Sequence, residues 1–265
     1  MAENLFGSRA AGVAVGLLLI ASASAALDAQ TPAVQPGLPS IIPPQRLSWY
    51  GDPAAPDISG VWVRSEAGGS SASNGWLPRT PPLKAQYAAV WRKRMADAAA
   101  GTRTDDPVRA CMPAGMPRFI TGMTPPMLIL QTPGRVMMYR DGMPVRRIWL
   151  DGRPQPRPED LESFSNGNAI GRYIGTDLVT DVAGIRDQPI DSSGIPHSDA
   201  LTIVERFHRV DAQTLMVTVT LTDKTAFTRP MTNTVIYKLH DDPLWEPKEF
   251  LCTPQTGYAP EQFVQ

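Results

Sequence analysis

From Met127 onward, apolar residues alternate with polar ones in short runs, each closed by turn-forming residues. MLILQT, RVMMYRD and PVRRIWLDG are the first three runs, separated by the turn dipeptides Pro133-Gly134 and Asp141-Gly142. Further strands are predicted over Ala169–Tyr173, Leu178–Asp181, Leu201–Arg209, Leu215–Thr222 and Thr234–Leu239, with a short last one at Glu249–Leu251. Short antiparallel strands joined by tight turns predict an all-β fold closed into a barrel of about 8–10 strands, because closure removes exposed edges. A two-sheet β-sandwich is the alternative.

Ahead of this region the period changes. Leu83, Tyr87, Val90, Trp91 and Met95 recur at helical spacing, with Thr80-Pro81 as the start signal and Gly101 beyond the end. One helix near 81–100 is therefore expected to pack on the barrel, its Arg92-Lys93-Arg94 cluster on a solvated face. Residues 65–76 read as a loop, and 26–56 as a Pro/Ala-rich linker. Arg9, the apolar run Ala10–Ile20 and the small residues Ala23-Ser24-Ala25 predict a signal peptide over 1–25, with an apolar run too short for a comfortable membrane span. The organisation expected is leader, linker and a single barrel domain over 57–265, in the periplasm or secreted.

Composition narrows the partners. A net charge of -1 without a basic run argues against nucleic acid. The two cysteines, Cys111 and Cys252, both lie in the exported part, where an even count favours a disulfide. Three scattered His residues and no Cys/His spacing give no metal site, and no glycine-rich nucleotide pattern calls for a cofactor. The expected partner is a small molecule, with no stable membrane span after the leader is removed. Monomer and homo-oligomer stay open.

Candidate chemistry gathers between Arg146 and Phe207. Arg146 and Arg147 are adjacent in a strand and face opposite sides, so one of them needs a buried carboxylate or an anionic ligand. Arg147 is taken as a substrate contact, with Arg153, Asn168, Arg172, Tyr173 and Arg206. Gly171 within a strand signals a bulge or a close approach. Asp177 and Asp181, four apart, share one strand face. His197 precedes the strongest strand; a neutral imidazole there suits a general base, with Asp151, Asp181 or Glu205 as the carboxylate that orients it. The catalytic candidates are thus His197, Asp151, Glu205 and Asp181. Glu205, mid-strand beside Arg206, is expected to face away from Arg206 and pair with another arginine.

Gly60-Val61-Trp62 is similar to the start of lipocalin-like (calycin-type) barrels, where the Trp closes the floor. More broadly, an ordered set of motifs resembles a widespread family of uncharacterised secreted bacterial proteins. The motifs are Asp57 to Trp62, Cys111 to Arg118 (CMPAGMPR), Asp151-Gly152-Arg153-Pro154, the glycine segment 167–171, Pro196-His197-Ser198-Asp199, Glu205-Arg206-Phe207 and Cys252. The resemblance covers about 57 to 252. It implies a lipocalin-like barrel and a Cys111–Cys252 bridge, and no established activity. Departures fall where chemistry would be sought. The family usually carries His where Gln155 stands, often His-Ser at Asn168-Ala169, and Trp-Glu-Gly-Asp-Thr at Tyr173-Ile174-Gly175-Thr176-Asp177.

Two functions follow. One is a cofactor-independent enzyme of lyase, isomerase or hydrolase type, acting on a mainly apolar molecule in the barrel cavity. The other is a non-catalytic barrel that binds and transports such a molecule.

Overall fold

The computed structural model describes residues 56–65, 80–122, 126–242 and 244–248. The expected leader and linker lie outside them apart from Pro56, as do Glu249–Leu251 and Cys252, and with Cys252 the proposed bridge.

Nine strands close into a barrel in chain order. They are β1 (Gly60–Arg64), β2 (Met127–Thr132), β3 (Arg135–Tyr139), β4 (Arg146–Trp149), β5 (Asn168–Ile174), β6 (Asp177–Ala183), β7 (Thr202–Asp211), β8 (Thr214–Thr222) and β9 (Met231–Leu239). The sandwich alternative is excluded by closure of β9 on β1. One expectation is corrected: β4 and β5 pair in parallel, with Ile148 opposite Ala169. The reason is parity. Up and down cannot alternate around a ring with an odd number of strands, so one neighbouring pair must run the same way. The chain meets this with residues 150–167, which run from the end of β4 back to the opposite end of the barrel.

Alternation sets the core. On β7, Ile203, Glu205 and Phe207 are buried while Thr202, Val204 and Arg206 face out. Gly171 on β5 marks a close approach: a Cβ there would come within 2.7 Å of Ile148 and 2.9 Å of Leu150. Trp62 is fully buried, donates from Nε1 to the Ile58 carbonyl at 3.0 Å, and lies under the Arg209 guanidinium.

The helix is shorter than its period predicts. α1 (Ala85–Ala99) begins after Lys84, not at Thr80-Pro81, because Leu83 is held extended in a bridge to Phe227. Tyr87 and Trp91 pack against the core, whereas Val90 and Met95 stay exposed. A one-turn helix, α2 (Arg118–Thr121), buries Phe119 and Ile120 completely. Both helices lie on the long connection after β1, at the end of the barrel where β6 gives way to β7 and β8 to β9. Among the described residues no helix is long and apolar enough to cross a membrane.

Inside the barrel, Arg146 of β4 meets Glu205 of β7 in a two-pronged pair, with Nη1 to Oε1 at 3.0 Å and Nη2 to Oε2 closer. The Thr180 hydroxyl of β6 donates to the same carboxylate at 2.5 Å. Arg146 is 1 % exposed and Glu205 0 %, so removing either partner strands a charge in a dry interior. Arg146→Met is expected to cost about 3–5 kcal/mol of unfolding free energy in urea titration. Arg146→Met combined with Glu205→Leu should recover most of that loss.

Candidate functional site

The predicted site residues do not converge. Asp151 and Arg153 form an exposed ion pair at the turn after β4, and Arg153 stacks on Trp149 at 3.9 Å from the ring centroid. The hydrogen bond from Arg153 holds the Asp151 carboxyl below the usual carboxylate range. Asp181 pairs with Arg172, and Asp177 with Arg206 and His208, all on the outer wall of β5, β6 and β7. Asn168 donates to Gln155 at 2.7 Å, and the Tyr173 hydroxyl accepts from Gln131 at 2.7 Å.

Arg147, expected as a substrate contact, is exposed on the outer face, and Arg146 is the inward residue. Alternation alone left the choice open, because Arg146 shares its face with Ile148 and Arg147 with Trp149. Glu205 faces away from Arg206 and pairs with an arginine, as expected, but the pair occupies it fully. Asp151, Asp181 and Glu205 are therefore not the partners of His197.

His197 lies in the connection from β6 to β7, in a segment held from two sides. Asp191 accepts from Ser193 N–H and hydroxyl, Gly194 N–H and Ile195 N–H. Burial pushes its carboxyl up even against those four bonds. Asp223, at the start of the β8–β9 connection, accepts from Ser198 N–H at 2.7 Å and the Ser198 hydroxyl at 2.8 Å. It also accepts from Thr225 and Ala226 N–H. Burial alone would raise the Asp223 carboxyl; these hydrogen bonds outweigh it and leave it below the usual range.

His197 is 5 % exposed, and its Nδ1 sits 2.8 Å from the Ser198 carbonyl oxygen. A carbonyl cannot donate, so Nδ1 carries the proton and the lone pair of the neutral ring is on Nε2. Nε2 is buried and has no hydrogen-bond partner among the described residues.

Further features escaped the sequence reading. Arg140 donates to the Tyr237 hydroxyl at 3.0 Å, and that hydroxyl donates to the Ile120 carbonyl. Burial pushes the Tyr237 phenol up, although Arg140 and Arg64 nearby pull it down. Arg94, expected in solvent, ties α1 to Asp105, and Arg103 reaches the same carboxylate at 2.5 Å. Beside this knot opens a cleft of about 320 Å³. Among the described residues no group of three or more His, Cys, Asp or Glu side chains converges as metal ligands would.

The CMPAGMPR stretch is explained by packing. Gly115 has φ of 60°, and a Cβ there would lie 2.1 Å from the Ser165 carbonyl oxygen and 2.2 Å from Gln188 Nε2. Arg118 pairs with Asp106 at 2.7 Å. Comparison with protein-family models, with curated proteins and with solved structures finds no match for this chain.

Because the Asp223 carboxyl is depressed by folding, its contribution is complete above the unfolded carboxylate value and is lost as pH falls through the lower folded value. Asp223→Ala is expected to cost about 1–3 kcal/mol at neutral pH. Urea titrations of both chains should converge only well below the ordinary carboxylate value of about 3.9.

Proposed function

We propose that the protein is an exported barrel that binds a small organic molecule at its helix-capped end and acts on it by acid–base chemistry, with His197 as the base. The observation that carries this reading is the imidazole itself: buried, fixed in one tautomer by the Ser198 carbonyl, with Nε2 uncommitted. In the reaction, Nε2 takes a proton from the bound molecule, and the Ser198 carbonyl continues to accept from Nδ1–H as the ring becomes cationic. Returning that proton to a leaving group completes an elimination, and to a neighbouring carbon an isomerisation; in a hydrolysis Nε2 takes the proton from an attacking water instead and returns it to the leaving group. The interior supports placing the molecule at the end of the barrel, since Trp62, Arg146, Phe207 and Tyr237 occupy the lumen. The scatter of Asp151, Asp181 and Glu205 favours, as a second reading, a barrel that binds without catalysis.

A panel of aryl esters, lactones and ketones with an acidic α-proton tests the first reading. Turnover of one class is expected, with kcat falling about 10²–10⁴-fold in His197→Gln and the unfolding midpoint unchanged. No turnover, together with a chemically intact compound released from the purified protein in native mass spectrometry, establishes the binding reading instead. Export and the Cys111–Cys252 bridge belong to the same proposal. Protein recovered from a bacterial periplasm should have an intact mass that starts near Ala26 and rises on reduction.

A further inference from the structure

The cleft beside α1 has a composition that the acid–base reading does not use. Its volume, about 320 Å³, is at the small end for ligand sites. Pro107, Pro113, Pro189 and Met112 give it apolar walls. Two of its charged groups are already committed. Arg94 binds Asp105 and, at 3.1 Å, the Gly194 carbonyl; Asp105 also takes Arg103, which is anchored to the Ser192 carbonyl at 2.6 Å. This knot makes a fixed floor.

Three consecutive residues on the rim remain available. Arg186 and Asp187 are exposed, form no ion pair with each other, and have no side-chain partner among the described residues. The Arg186 backbone is nevertheless held, its N–H donating to the Phe164 carbonyl at 2.9 Å. Gln188 is 7 % exposed and donates from Nε2 to the Ala114 carbonyl at 2.6 Å. That bond fixes the amide, so Oε1 is the end left to accept. The cleft thus offers one cation, one anion and one neutral acceptor around a mainly polar hollow with an apolar wall of Pro107, Met112, Pro113 and Pro189.

We propose that this cleft binds a small zwitterion of the amino-acid class, its carboxylate on Arg186, its ammonium on Asp187 and Gln188 Oε1, and its apolar side chain against the prolines and Met112. The proposal does not depend on the His197 chemistry and is tested by binding, not by turnover. A single charge on the ligand would leave the opposite rim charge unanswered, and a neutral ligand would leave both.

Isothermal titration of the full chain with L-phenylalanine, N-acetyl-L-phenylalanine and L-phenylalanine amide separates these cases. Binding of the free amino acid is expected with Kd of about 10 μM to 1 mM. Each blocked analogue should bind on the order of tenfold weaker or worse. Arg186→Gln and Asp187→Asn should each cause a similar loss. Both side chains are exposed, so the unfolding midpoints should not move. Equal binding of N-acetyl-L-phenylalanine, or binding unaffected by Asp187→Asn, overturns the zwitterion in favour of a plain anion. No binding of any of the three overturns the site. His197→Gln should leave the titration unchanged, which keeps the two proposals separable.

Discussion

A guanidinium and a carboxylate sealed inside a closed barrel impose the tightest constraint on this chain. Neither charge can be left alone in a dry interior, so Arg146 of β4 and Glu205 of β7 must arrive at the same height, with Thr180 of β6 between them. A one-residue slip of β7 would turn Glu205 out to solvent and drive Val204 and Arg206 inward. The pair therefore pins the register of the wall from β4 to β7. The surface pairs, Arg172 with Asp181 and Arg206 with Asp177, decorate the outer face of that wall and are far less binding.

The other polar groups divide by place. At the helix-capped end, Asp191 and Asp223 act as anchors, each gathering backbone N–H groups of an irregular connection that has no ladder to satisfy them. Their opposite shifts follow from the same two forces, burial and hydrogen bonding, with burial prevailing at Asp191 and bonding at Asp223. His197 sits between the anchors, which is why an irregular connection holds an imidazole in one orientation.

Strand positions were legible because alternation is a local property, and eight of the expected runs overlap observed strands. Direction was not: the parallel pairing of β4 with β5 depends on the number of strands in the ring, which no local pattern encodes. The inward choice of Arg146 over Arg147 was not readable, since Ile148 marks one face of β4 as apolar and Trp149 the other. The failure at Asp151 and Asp181 has another cause. Ionisable residues near strand ends suggest a site, but each of these found an arginine close by, two residues away for Asp151 and across the neighbouring strand for Asp181. His197 could be singled out by its rarity and its setting, while its partner, a backbone carbonyl, leaves no mark in a sequence. The cleft at Arg186, Asp187 and Gln188 was invisible for a similar reason, since its walls come from segments far apart in the chain.

The parallel pair also makes the barrel uneven as a mechanical object. The β4–β5 ladder covers only Ile148 with Ala169 and Trp149 with Ile170, whereas the next ladder runs the whole length of β5, from Asn168 opposite Ala183 to Ile174 opposite Asp177. A cylinder with one short seam does not breathe evenly; it opens where the fewest bonds must break. That seam begins at Ile148, two residues beyond Arg146, so the arginine of the buried pair stands on the strand with the shortest ladder.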